Sequence, residues 1–151
     1  MAEKVDRESL SSQYDKMDER PWRYLTVVIK KWEQEVGDVL ESFEVTRAQL
    51  EFLLCVEKFT KEGRPTTQKD LAAALGRAEN TASEAFRNLE KKGYIARSSS
   101  EADLREKRVV LTEKGLRLVQ KAIGAVLLVD QRLFPDDRDN EELVRLLKKH
   151  L

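Results

Sequence analysis

A chain of 151 residues, 40% apolar and 37% charged, holds one domain, or one domain plus an oligomerisation element, and too little material for several. Its 28 basic and 28 acidic side chains cancel, which argues against a generic nucleic-acid coat. The apolar run 125–129 is too short to span a bilayer, so no membrane partner is expected.

The charge is unevenly placed. Residues 1–60 carry 9 basic and 13 acidic side chains, residues 61–115 carry 12 and 9, and residues 116–151 carry 7 and 6. The positive excess falls on the segment with the richest motifs. The one cysteine, Cys55, forms no internal disulfide and points to a reducing compartment. The opening MAEKVDRESL has no apolar segment, so a cytoplasmic location is expected.

Residues 1–19 read as a polar extension. Leu10, Tyr14 and Met17 make one weak helical stripe, fitting a segment that is disordered alone or docks on a partner. From Pro21 onward Trp22, Leu25, Ile29, Trp32, Val36, Val39 and Phe43 recur at alternating spacings of 3 and 4, the seam of a long helix. Two tryptophans on that seam predict burial in a core or a subunit interface. Thr46 and Gln49 fit a capping box. The helix after them is apolar over more than half its circumference (Leu50, Phe52, Leu53, Leu54, Val56, Phe59) and so belongs at the centre. Gly63 and Pro65 end it.

Thr67 caps a short helix through Asp70, with Leu71, Ala72 and Leu75 inward, and Gly76 stops it after about two turns. Glu79 or Asn80 opens the next helix. It turns Ala82, Ala85, Phe86 and Leu89 inward and leaves Thr81, Ser83, Glu84, Arg87 and Asn88 outside, with Gly93 closing it. Residues 94–98 and 107–111 read as a strand pair with Val109 and Leu111 on one face, joined by a polar loop. Thr112 caps a long helix carrying Leu116, Val119, Ile123, Val126, Leu127 and Leu133. Pro135 breaks it, and a last helix from about Asn140 carries Leu143, Leu146, Leu147 and Leu151. The expected architecture is mostly α with a small β-hairpin wing: a winged helix-turn-helix at 46–115, flanked by an N-terminal dimerisation helix at 20–45 and C-terminal dimerisation helices at 116–151.

The segments DLAAALG (70–76), NLEKKGYIAR (88–97) and ADLREKRVVLTEKG (102–115) together resemble the MarR family of bacterial and archaeal transcription regulators, over roughly residues 20–150. The discriminating piece is Asp103-x-Arg105, followed by Val-x-Leu-Thr-x-x-Gly in register with LEKKG. The resemblance implies a symmetric homodimer that offers one winged module per subunit to a palindromic site in double-stranded DNA. It also implies Arg105 in the minor groove, with Asp103 holding the guanidinium. A narrow A·T-rich groove concentrates negative potential and attracts arginine; the competing reading is an ordinary surface ion pair. The chain departs from the family pattern at Leu104, where a second basic residue is common, and at Glu79 and Glu84 in the recognition helix.

Thr81, Ser83, Glu84 and Arg87 are the candidates for base or phosphate contact, with Arg87 able to bond guanine O6 and N7 and Glu84 able to accept from cytosine N4. The alternative is a solvated helix face. Thr67, Gln68, Arg77 and Asn80 lie at helix starts, where phosphate binding and simple capping are both open. Arg97 and Lys107 flank the wing and are candidates for contact with the DNA backbone; a solvated strand edge is the competing reading. The expected dimer interface takes Trp22, Leu25, Ile29, Ile123, Leu127, Leu143 and Leu147. A small aromatic or amphipathic effector, as the family resemblance implies, would be lined by Trp32, Phe43, Phe52 and Tyr94; a filled core explains these four equally.

The chemistry of catalysis is missing from the sequence. His150 is the only histidine, which excludes a histidine triad or a histidine metal cage within one chain. Asp136-Asp137 and Glu141-Glu142 sit at a helix break and a helix start, where they complement the dipole. Neither an enzymatic activity, a metal nor a cofactor is expected. Cys55, among Leu53, Leu54 and Val56, reads as packing. The expected function is a DNA-binding transcription regulator, a repressor modulated by a ligand. The alternative is a winged-helix protein-interaction module without specific DNA binding.

Overall fold

The computed structural model describes residues 6–99 and 107–151. The chain divides into two units, with the boundary between Glu35 and Val36.

In the first unit the Asp6 carboxylate caps α1 (Arg7–Asp18), accepting from the Glu8 N–H at 3.1 Å. The weak helical stripe of the extension thus lies on a capped helix. None of its residues is buried, and Leu10, Tyr14 and Met17 form an exposed stripe. Pro21 opens α2 (Pro21–Glu41), its fixed φ suiting a first helical position. The Arg23 guanidinium meets the Asp18 carboxylate at 2.7 Å across the α1–α2 joint. Trp22, Tyr24, Val27, Val28 and Ile29 are all exposed, while Arg23, Thr26 and Lys30 mark a polar side of the same helix. Apolar side chains left in water in such number call for cover.

In the second unit, the last turns of α2 bury Val36 and Leu40. The helix stops at Glu41, so Phe43, expected on its seam, sits in the corner that follows. Glu44 there has φ 55°, the one non-glycine residue at positive φ among those described. The Thr46–Gln49 capping box opens α3 (Arg47–Lys61), which buries Leu50, Phe52, Leu53, Cys55, Val56 and Phe59 and so forms the centre of the unit. Thr67 caps α4 (Gln68–Ala74), accepting from the Asp70 N–H at 3.2 Å. Gly76, at φ 59°, turns the chain out of it. The next helix, α5 (Glu79–Lys91), buries Ala82, Phe86 and Leu89. Phe86 packs on Phe52 with ring centroids 4.8 Å apart and planes tilted by 55°, an aromatic pair whose truncation costs about 3–5 kcal/mol.

Strands β1 (Ile95–Ser99) and β2 (Lys107–Leu111) pair antiparallel, from Ile95 opposite Leu111 to Ser99 opposite Lys107. The first strand starts one residue later than its sequence suggested. Its partner is held on both edges: Thr67 bridges Arg108, and the Val109 N–H donates to the Thr66 carbonyl at 3.0 Å. Thr112 then caps α6 (Glu113–Leu133), which buries Gly115, Leu118, Val119, Ala122 and Val129. Leu116, Ile123, Leu127 and Leu128 remain exposed on another face. Asp137 caps α7 (Arg138–Leu147), and a 3-10 turn follows at Lys148–His150. No α7 residue is buried, and Leu143, Val144, Leu146 and Leu147 are exposed. Among the described residues no helix is long and apolar enough to cross a membrane.

Candidate nucleic-acid interface

The short helix α4 and the longer α5 meet across a four-residue turn that contains Gly76, and the β1–β2 hairpin follows at once. Hydrophobic packing fixes one side of α5 through Ala82, Phe86 and Leu89, so the opposite side is presented outward. Thr81, Glu84, Arg87 and Asn88 are exposed there, while Ser83 is half-buried and hydrogen-bonded to the Gln68 side chain of α4. That bond brings two candidate residues together and turns both toward the α4–α5 joint. The Arg87 Nε–H donates to the Ser83 carbonyl at 3.3 Å, which leaves its terminal amino groups outward.

The α5 helix starts at Glu79, one of the two openings that the sequence left open. Ala78 is the N-cap and no side chain caps the helix. Glu79 is the first helical residue and Asn80 the second, so neither can act as the cap. The first-turn N–H groups thus keep their capacity for an external acceptor. Glu79 alone in that turn is acidic.

The flanking cations are already engaged. The Arg77 guanidinium bonds the Glu51 carboxylate at 2.9 Å, and Arg47 meets the same carboxylate from the start of α3. The Arg97 Nε–H bonds Glu90 at 3.2 Å, which ties β1 to α5. Both pairs are about one-third exposed, so each stabilises by less than about 1 kcal/mol and serves chiefly to orient. The Thr67 hydroxyl is occupied with Asp70. Asp103 and Arg105 lie outside the described residues; Lys107 begins β2, and its side chain lies outside them too. Sequence reasoning missed Glu51 and Glu90 as partners. Each contact joins elements whose separation in the chain carries no local signal.

The four aromatic candidates for an effector pocket do not share one environment. Phe52 is closed within the core at 1% exposure, so it offers no surface to a ligand. Trp32 belongs to the first unit, and Phe43 and Tyr94 to the second. Phe43 and Tyr94 line an open cleft of about 500 Å³ with Lys114, Arg117 and Lys121, and the Lys114 ammonium stands 4.9 Å from the Tyr94 ring centroid. Cys55 is buried. Burial pushes its thiol pKa up, and Arg64 and Lys58 pull it partly back. Among the described residues no group of three or more His, Cys, Asp or Glu could hold a metal ion.

Of the expected interface residues, Trp22, Ile29, Ile123, Leu127, Leu143 and Leu147 are exposed and Leu25 is half-buried.

A short helix and a projecting helix joined by a tight turn, backed by a central helix and followed by a hairpin, define a winged helix-turn-helix protein of the DNA-binding class. The pattern of the MarR family matches residues 45–107. The HTH-type transcriptional regulator YdcH of Bacillus subtilis (strain 168) is 34% identical over 122 residues, spanning 81% of this chain and 83% of the relative. A structure described as the S. aureus MepR–DNA complex superposes with a TM-score of 0.72 at 31% identity, over 87% of this chain and 97% of that one. The apo form of wild-type MarR from E. coli shares the fold, with a TM-score of 0.73 at 23% identity over 87% and 97% of the two chains. The chain belongs to the MarR family and is an HTH-type transcriptional regulator.

Proposed function

We propose that the protein acts as a homodimer on an inverted-repeat operator, with 46–115 as the DNA-binding module and 20–45 and 116–151 supplying the dimer contact. The observation that carries the DNA half is α5 itself: Thr81, Glu84 and Arg87 face outward from a helix whose first-turn N–H groups have no side-chain cap. Backbone N–H groups at such a helix end bind phosphate, and side chains beyond them read base edges. Arg105, held by Asp103, reads the minor groove in this scheme. The 31% identical MepR–DNA complex supports it. The dimer half is supported by the exposed Trp22, Val28, Ile29, Ile123, Leu127, Leu128, Leu143 and Leu147, more apolar surface than a monomer leaves in water.

Repression follows where such a site overlaps a promoter, and the chromosome places the protein in the cytoplasm. An effector in the cleft beside Phe43 and Tyr94 would shift operator affinity only by binding the free and bound shapes unequally.

Selection of bound duplexes from genomic DNA at moderate salt tests this function. An enriched inverted repeat, with half-site centres about one helical turn apart, is the expected result. Glu79 and Glu84, both exposed on α5, favour the second reading, a protein-interaction module. Only weak, salt-sensitive binding without enrichment would carry the conclusion there.

A further inference from the structure

The C-terminal end of α5 is gripped by a segment 39 to 48 residues away. Glu44, in the α2–α3 corner, holds a left-handed backbone with φ 55°, a conformation disfavoured for any residue with a Cβ. Such strain persists where the surroundings over-determine it. Here the Lys92 ammonium, just past α5, donates to the Glu44 carbonyl. A second tie lies beside it: the Gln49 Nε2–H donates to Asn88 Oδ1 at 3.2 Å, while Gln49 Oε1 accepts from the Thr46 N–H at 3.1 Å. One amide thus completes the α3 cap and holds α5. From the other side the Lys114 ammonium donates to the Lys92 carbonyl at 2.8 Å, and the Thr112 hydroxyl to the Gly93 carbonyl at 2.6 Å.

The geometry converts a grip at one end into an angle at the other. Phe86, packed on Phe52, is the buried fulcrum of α5. At 1.5 Å rise per residue, Lys92 lies about 9 Å beyond Phe86 and Thr81 about 7.5 Å before it. A displacement of about 1 Å at Lys92 therefore swings Thr81 by roughly 0.8 Å. Hydrogen bonds to base edges span a distance window of only about 0.5 Å.

We propose that the α2–α3 corner is a positioning element for DNA recognition: Glu44 and Gln49, through Lys92 and Asn88, set the angle at which Thr81, Glu84 and Arg87 meet the major groove. The proposal rests on the operator reading above. None of the four positioning residues contacts DNA in this scheme.

The test compares full-length Lys92→Met with Lys91→Met, which removes the same charge from the neighbouring residue. In free protein, hydrogen exchange at residues 43–46 and 88–94 is expected to quicken in K92M and stay at the wild-type rate in K91M. On the duplex enriched by the wild type, K92M is expected to bind about tenfold more weakly than K91M, the loss of one good base contact. On a scrambled duplex the two should bind equally, and Lys92→Arg, which still donates, should restore specific binding. Unchanged exchange in K92M overturns the proposal. Equal affinity of K92M and K91M for the enriched duplex also overturns it, and leaves the operator reading standing. A wild-type protein with no preferred duplex overturns the operator reading first and this proposal with it.

Discussion

Gly115 stands where α6 begins and where no larger residue fits. A Cβ built there would lie 2.0 Å from the Tyr94 carbonyl oxygen and 3.0 Å from its carbonyl carbon. Tyr94 would have to retreat by at least about 1 Å to restore ordinary contact in a close-packed interior. The same carbonyl accepts from the Thr112 N–H at 3.0 Å and from the Thr112 hydroxyl at 3.2 Å, so the retreat breaks the seam between β1 and the α6 cap. Overpacking costs about 1–3 kcal/mol, and each lost hydrogen bond about 1 kcal/mol. Against that, alanine gains about 1 kcal/mol in a helix interior. Gly115→Ala is therefore expected to destabilise by about 2–4 kcal/mol, lowering Tm by roughly 4–16 °C for a chain of this size. Gly124→Ala, on the same helix with nothing within 4 Å of the added atom, should instead gain up to about 1 kcal/mol. Urea unfolding followed by far-UV circular dichroism reads both. A Gly115→Ala protein as stable as the wild type would refute the reasoning.

Three other outcomes are expected. Arg87→Ala should weaken binding to the enriched duplex by about 1–3 kcal/mol if the guanidinium reads a guanine, or uniformly across sequences, with a shallower salt slope, if it meets a phosphate; titration at two salt concentrations separates the cases, and no change removes Arg87 from the interface. Leu127→Asp should leave the helical spectrum intact yet shift sedimentation at micromolar concentration toward monomer, because a carboxylate resists burial in an apolar seam; an undisturbed dimer would place the interface elsewhere. Iodoacetamide at pH 7 should label Cys55 far more slowly in the folded protein than in urea, since burial raises the thiol pKa and blocks access. Because the folded pKa lies above the unfolded one, this thiol's contribution to stability is complete below the unfolded pKa and declines as pH rises toward the folded one. Labelling at equal rates would contradict its burial.

What could be read beforehand was local. Thr46, Thr67 and Thr112 cap α3, α4 and α6 through residues three positions on, and Gly63, Gly76 and Gly93 carry the positive φ that ends α3, α4 and α5; both signals lie within a few residues of chain. At α5 the sequence left Glu79 and Asn80 both open as the first residue, and the helix starts at Glu79 after Ala78, which has no side chain to cap it. On α6 two apolar stripes overlap in sequence. The sequence singles out Leu116, Ile123 and Leu127, the last two for a dimer interface; all three are exposed, while Leu118, Ala122 and Val129, which it does not single out, take the core, and only the packed neighbours decide between such stripes. The Arg77–Glu51 and Gln49–Asn88 contacts join residues 26 and 39 apart, and no periodicity announces them. The stripe on α1 was too sparse for its helix to be expected, and Asp6, its cap, lies one residue before it.

The outward side of α5 has a further consequence, for how such a protein can change over generations. Among the described residues Thr81 and Glu84 bond to nothing, and Arg87 bonds only to a carbonyl one turn back. The ties that hold the helix run instead through Ser83, Asn88, Glu90 and Lys92. Replacing any of the three outward residues should therefore alter stability by no more than about 0.5 kcal/mol. A gene duplicate could exchange them one at a time, drift to a new target, and never pass through an unfolded intermediate.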